Sequence, residues 1–146
     1  MAYDANNIFA RILRGELPCV KIFENASVLA FMDAMPQSDG HVLVIPKEPA
    51  ETLLDLSSAG AAACLEAVRY LAPAVMKAVA ADGFMASQVN GRGAGQSVPH
   101  VHFHLIPRWQ GVELKPHMGN LVDNETLKAI AAKIIAALGA ASQLEC

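Results

Sequence analysis

Two periods of apolar residues alternate along the chain, and together they predict its elements. In "NNIFARILRGELP" Ile8, Phe9, Ile12 and Leu13 fall on one helical face, with Gly15 near the end and Pro18 just beyond. "VKIFE" and "VLAFMD" read as short strands separated by the turn-like "NAS" at residues 25–27, and after the loop "PQSDGH" the run "HVLVIP" is a buried strand bounded by Pro46. From about Ser57 to Ala81 an alanine-rich stretch carries Leu65, Val68, Leu71 or Ala72, Val75 and Val79 at helical spacing. Pro73 lies inside it, and the expectation is a continuous but bent helix, since proline removes a backbone donor and crowds the preceding turn. "FMASQVN" returns to extended structure, and "GRGAG" is a flexible loop leading into "HVHFHLI". A last helix is expected from about Asn124 to Leu138, bearing Leu127, Ile130, Ile134 and Leu138, with Gly139 as its stop and the final seven residues frayed. Strands joined by short turns favour antiparallel pairing, so the predicted fold class is α+β: a five-stranded antiparallel sheet covered by a short N-terminal helix, a long central helix and a C-terminal tail helix.

At 146 residues the chain suits one domain, 1–146, with its own core. Hydrophobic residues make up 53% of it and mean hydropathy is +0.32, yet charges interrupt every apolar stretch before the ~20 residues of a membrane span, so no membrane association is expected. The N-terminus lacks the basic start and continuous apolar region of a signal peptide, and the expected location is cytoplasmic. Cys19, Cys64 and Cys146 are odd in number and widely spaced, which suits reduced thiols rather than a disulfide framework or a Cys-x-x-Cys metal motif. A formal charge of −3 without any cluster of Lys and Arg argues against nucleic acid as a partner but allows a small anionic ligand. The apolar surplus leaves room for an interface with a second copy.

Histidine changes the picture. The chain holds five, and three of them, His100, His102 and His104, stand at alternate positions of "QSVPHVHFHLIPR". In a strand they project from one face, roughly 6.5 to 7 Å apart along the chain. Three readings follow from the residues alone. Purely structural histidines would each need partners, because an unsatisfied buried ring nitrogen costs about 1 to 3 kcal/mol. A zinc site is the second, since His-x-His on a strand suits tetrahedral ligation. The third is covalent catalysis at phosphorus. Gly91, Gly93 and Gly95 just upstream can bring main-chain N–H groups against an anion, which lets an acidic protein hold a phosphate without a basic patch.

"HVHFHLI" resembles the His-φ-His-φ-His-φ-φ signature (φ apolar) of the histidine-triad, or HIT, family of nucleotide hydrolases and transferases. Residues 7–47 are similar to that family's N-terminal half, and "QVNGRGAGQSVPHVHFHLIPR" to its active-site strand and preceding loop. The resemblance implies a family core over about 7–108 with a C-terminal extension over about 109–146, and a homodimer whose sheet continues between subunits. It implies a substrate in which a purine nucleoside monophosphate carries a leaving group on its α-phosphate, as in the nucleoside phosphoramidase and dinucleotide hydrolase branches. By the same resemblance His102 would be the nucleophile, His104 would sit near the leaving group, and His100 would support the site together with His41. Asn90, Gln96 and Ser97 match positions that contact phosphate and leaving group, and Asp33 matches an acid that binds the ribose hydroxyls. Each has a plainer role open to it: Ser97 can shape a turn, Asp33 can cap its strand, and His41 can be an ordinary half-buried histidine. Some bacterial-type members carry a Cys-φ-Phe-Cys segment that binds zinc with two histidines. Here the segment is "NIFA", with Asn7 and Ala10 in place of both cysteines, so that zinc is expected to be absent. The tail from Arg108 is longer than in the phosphoramidase branch and leaves the leaving group unspecified.

The implied chemistry needs no cofactor and no metal. His102 attacks the α-phosphorus, the leaving group departs with a proton from an outer histidine or Ser97, and water hydrolyses the nucleotidyl-imidazole, while main-chain N–H groups around Gln96 and Ser97 stabilise the phosphoryl oxygens. Two imidazolium groups about 7 Å apart repel by roughly 2.4 kcal/mol at an effective dielectric near 20, so one shared positive charge beside the phosphate is the expected working state. The alternatives are a non-catalytic nucleotide-binding or interaction module, and a zinc-dependent hydrolase. His117, Trp109 and the cysteines are assigned to surface or packing.

Overall fold

The computed structural model describes residues 2–144, with side chains to residue 139. The elements run α1 (Ile8–Leu13), β1 (Lys21–Glu24), β2 (Val28–Met32), β3 (Val42–Pro46), α2 (Ser58–Val79), β4 (Gly83–Ser87), β5 (Phe103–Arg108) and α3 (Asn124–Leu144). The five strands form one antiparallel sheet in the order β1-β2-β3-β5-β4, an α+β fold in the predicted element order.

The unbroken apolar runs of β2 and β3 follow from burial on both faces of the sheet. Val28, Ala30, Met32, Val42, Val44, Phe103 and Leu105 belong to the core under α2 and α3, whereas Leu29, Phe31, Leu43 and Ile45 pack with Phe9 of α1 on the other face. Each fully buried Val, Leu or Ile contributes about 1.5 to 3 kcal/mol, so a one-residue slip of β3 would exchange two matched sets. In the pairing of β3 with β5, Leu43 stands opposite His104. The histidine face of the sheet is therefore the α1 face.

Helix α2 starts where the Ser57 hydroxyl accepts from the Gly60 N–H and ends at Ala80, which is left-handed with φ 53°. It runs unbroken through Pro73. Pro73 is exposed, so the carbonyl that loses its donor one turn earlier faces solvent and can be hydrated. By length and composition α2 could cross a membrane, but here it buries Cys64, Val68, Leu71 and Val75 against the sheet and presents the Glu66–Arg69 ion pair outward.

Two sequence expectations are corrected. Gly139 does not stop the last helix, which continues to Leu144; the glycine lies on an exposed face, where its cost of about 1 kcal/mol relative to alanine is met by alanine-rich neighbours. The expected fraying of 140–146 falls on residues whose side chains lie outside those described, and only 145 and 146 lie wholly outside. The "GRGAG" loop is not a loose connection either: residues 92–94 form a single 3₁₀ turn, closed by Gly95 at φ 96°, a conformation only glycine adopts at little cost.

Candidate active site

The site is assembled from four pieces of chain: the entry to α1, the β2–β3 loop, the approach to β5, and the segment after β5. His104 is the one triad histidine within β5; the strand begins at Phe103. The expected single strand bearing all three rings is thus corrected. Residues 98–100 bend around Pro99, and the Val101 N–H donates to Ala50 O instead of a ladder partner. The bend turns His100 out of the row. Its ring meets Tyr3 and the Pro46 carbonyl, whereas His102 and His104 stay together with ring centroids 5.0 Å apart.

His41 takes the place beside His104. Gly40 holds φ 90° just before it, and a Cβ there would come within 3.1 Å of Val79, so the chain turns into β3 only with glycine at that point. His41 is 1% exposed, His100 0%, His102 3% and His104 5%, so all four imidazoles are buried.

Their partners fix every proton. The Gln37 N–H donates to His41 Nδ1 at 3.0 Å, so a neutral His41 carries its proton on Nε2 and donates it to His104 Nδ1 at 2.9 Å. His104 in turn must carry its proton on Nε2. His102 donates Nδ1–H to His100 O at 2.8 Å, which leaves its Nε2 as a bare lone pair. His100 donates Nε2–H to Pro46 O at 2.9 Å and accepts the Tyr3 hydroxyl on Nδ1 at 2.6 Å. Among the described residues no fully enclosed side-chain N or O lacks a partner, so the unpartnered Nε2 atoms of His102 and His104 are ones still open to the cleft.

Burial keeps this network uncharged. It lowers His41 to about 3 and His104 to about 4, with repulsion among the rings as the smaller cause, and it lowers His100 and His102 as well. The resting cluster therefore holds no shared positive charge at neutral pH; a charge on His102 has to develop during reaction. Burial also raises the Asp33 carboxyl, whose Oδ1 accepts from the Met35 N–H at 2.8 Å while Oδ2 lies 3.5 Å from His41 Nε2. Asp33 caps the end of β2 and still lines the cleft.

That cleft, about 170 Å³, is lined by His102, His104, Asp33 and Ser97, with Phe9 and Leu43 among its apolar walls. The Phe9 ring stands edge-on to His102 at 5.0 Å. Gln96 and Asn90 are placed differently. The buried Gln96 carboxamide accepts from Gly91 N and donates to Glu51 O and Val98 O, fastening the glycine loop; Asn90 Oδ1 accepts from Leu53 N outside the cleft. The Gln96 N–H is occupied by Gly91 O, and among the described residues the Ser97 and Val98 N–H groups have no acceptor, which makes them open main-chain donors at the cleft. Sequence reasoning missed one residue at the cleft, His117, and assigned Trp109 to surface or packing, where it stays. His117 stands with its ring 6.0 Å from that of His104, and Trp109 Nε1 donates to Ala80 O at the end of α2.

A family model described as the HIT domain matches residues 14–111. The chain belongs to the HIT family. Among relatives it is 46% identical over 101 residues to the adenosine 5'-monophosphoramidase hnt1 of Schizosaccharomyces pombe, covering 69% of this chain and 73% of the other. A crystal structure of a Hit-like protein involved in cell-cycle regulation from Bartonella henselae, with an unknown ligand, is 46% identical with TM-score 0.90, covering 94% of this chain and 99% of that one. A zinc-bound histidine triad family protein from Mycobacterium smegmatis is 28% identical with TM-score 0.85, covering 95% and 97%.

The zinc of that HIT protein prompts a test of fit. Asn7 uses its side-chain oxygen to cap α1, accepting from Ala10 N at 2.9 Å, and Ala10 is packed at 6% exposure, so neither position offers a thiolate. Asp33, His41 and His104 do bring ligand atoms within 4.8 Å of one another. Two nitrogens bound tetrahedrally to one zinc stand about 3.3 Å apart, given Zn–N near 2.05 Å. The observed 2.9 Å between His41 Nε2 and His104 Nδ1 is a hydrogen bond, which protonates one nitrogen and occupies the lone pair of the other. The residues present do not fit zinc in this arrangement.

Proposed function

We propose that this HIT protein is a nucleotide hydrolase or transferase that acts at the α-phosphate of a purine nucleoside monophosphate derivative through a covalent nucleotidyl-His102 intermediate. The observation that carries the reading is the 2.8 Å bond from His102 Nδ1–H to His100 O, which aims an unprotonated Nε2 at the buried end of the cleft. The similarity to an adenosine 5'-monophosphoramidase supports the nucleotide as substrate class.

The steps follow from the proton positions. His102 Nε2 forms a bond to phosphorus, and the bond to the leaving group breaks with its electron pair. The ring becomes a phosphorylated imidazolium whose Nδ1–H still faces the His100 carbonyl, so the new positive charge is stabilised by an acceptor already in place. His104 holds its Nε2–H with Nδ1 occupied by His41, and that proton passes to the departing nitrogen or oxygen as its bond to phosphorus breaks. The Ser97 N–H and hydroxyl offer two further donors. Water then attacks phosphorus, the P–N bond breaks and returns its pair to His102, and the water's proton restores the Nε2–H of His104. Asp33, partly buried beside His41, serves the ribose hydroxyls, and Phe9 walls the apolar side that receives the base. Gln96 and Asn90 act one step back, by holding the loop that presents Ser97.

The test is a panel of an adenosine phosphoramidate, a dinucleoside polyphosphate and a nucleoside diphosphate. Purified protein treated with chelator is expected to release nucleoside monophosphate from at least one of the first two. Binding of nucleotide without turnover of any would sink the enzymatic reading and favour the binding module.

The assembly proposed is a homodimer. β4 is an edge of the sheet, and Phe84 on it is 44% exposed, so a second copy could extend the ladder there. Light scattering should give twice the 15.4 kDa chain mass, and a strict monomer at micromolar concentration would reject the dimer.

A further inference from the structure

His117 lies on the segment between β5 and α3, and that segment is tied back over the site on both sides of it. The Lys115 N–H donates to Gln37 O at 2.8 Å, and the Val122 N–H donates to Ala34 O at 2.9 Å. The Gln37 side chain returns a bond to Lys115 O at 3.4 Å, and Lys115 Nζ stands 3.7 Å from Asp39. All of these anchors are on the β2–β3 loop, which also carries Asp33 and leads into His41. The C-terminal segment is thereby held against the cleft, with the His117 ring 6.0 Å from that of His104 and Met118 beside it.

The cleft has a direction. His102 and His104 close its inner end at 3% and 5% exposure, whereas Ser97, His117 and Met118 line it as exposed residues. Displacement at phosphorus runs in line, with the nucleophile on one side and the departing group on the other. A nucleophile at the inner end sends the leaving group toward the mouth. The polar side chains lining the mouth are Ser97 and His117, both able to donate a hydrogen bond, and an oxygen-rich group accepts from both where an amine offers fewer acceptors.

We propose that His117 is a specificity-determining residue, which contacts the leaving group and favours oxygen-rich ones such as phosphate or polyphosphate over amines. This rests on the reading of His102 as nucleophile. A group that touches only the leaving group changes discrimination between substrates sharing one nucleotide, whereas a structural residue lowers all of them together.

The experiment compares wild type, His117→Ala and His117→Gln on an adenosine phosphoramidate and a dinucleoside polyphosphate, with inhibition by adenosine monophosphate as the binding control. His117→Ala should lower kcat/KM for the polyphosphate by about tenfold or more and for the phosphoramidate by less than about threefold. His117→Gln, which keeps an N–H donor, should recover part of the loss. Inhibition by the monophosphate, which has no leaving group, should stay within about twofold. Equal losses on both substrates, or none on either, overturn the inference while turnover by wild type leaves the enzymatic reading standing. If wild type turns over neither substrate, both fall together.

Discussion

His102→Ala is expected to reduce turnover by more than about a thousandfold while nucleotide binding largely survives. The only lone pair the network leaves bare at the inner end of the cleft is His102 Nε2, because His41 and His104 carry protons on theirs and His100 directs Nε2–H into Pro46 O. His104 cannot substitute. Its ring centroid is 5.0 Å away, its Nδ1 is occupied, and a displacement of even 1 Å from in-line geometry costs about a hundredfold. On the proposed reading, binding rests on other groups lining the cleft: Asp33, Ser97 and the apolar wall around Phe9. The ring is buried, so its removal also leaves His100 O without its donor, and thermal stability should be measured alongside. Rapid quenching of the wild-type protein with substrate supplies a test that needs no variant. Fragmentation mass spectrometry should place one nucleoside monophosphate on His102; an adduct on His100 or His104, or near-normal turnover by His102→Ala, would overturn the assignment.

The readable parts of this chain were those set by local pattern. The double-faced apolar runs of β2 and β3, the alanine-rich α2 with its Ser57 cap, and the element order that makes the sheet antiparallel all rest on residues near one another in sequence. Three imidazoles at alternate positions likewise marked the segment that brings His102 and His104 to the cleft. What alternation could not supply was the bend at 98–100, because the pull on His100 comes from Pro46 O and Tyr3, 54 and 97 residues away. The glycine loop was visible, but its fastening by Gln96 to Glu51, 45 residues upstream, was not. His117 and Trp109 show the same limit. Trp109 reaches Ala80 across 29 residues, and His117 enters the site only because Lys115 and Val122 pair with a loop some 80 residues earlier. A fifth histidine in a chain whose other four bond one another or the same strands was the available signal.

Stability should fall steeply as pH drops from about 6.5 to 5, before the exposed carboxylates begin to titrate. His41 at about 3 and His104 at about 4 lie below the ordinary value near 6.5, and His100 and His102 are lowered too, in each case chiefly by burial. For a base whose folded value is depressed, the unfolded chain binds protons first. The stabilisation is therefore complete above about 6.5 and is lost as pH falls toward the folded values. By pH 4 the deficit from His41 alone is of order 3 kcal/mol, large against a total of about 5 to 15. Asp33 works in the opposite sense, since burial raises it and protonation suits the folded chain, but it is one group against four. Glu16, Glu24 and Glu48 are lowered by their hydrogen-bonded partners and also lose their contribution in acid, but only as pH falls below about 4.5. The window between 6.5 and 5 thus belongs to the histidines. Urea denaturation at pH 7, 6 and 5 should show the midpoint falling across it, and His41→Gln, with one titrating ring fewer, should show a shallower fall. A wild-type midpoint that stays level from pH 7 to 5 would mean that these imidazoles are not held neutral by burial, and the proton positions assigned to His41, His102 and His104 would have to be abandoned.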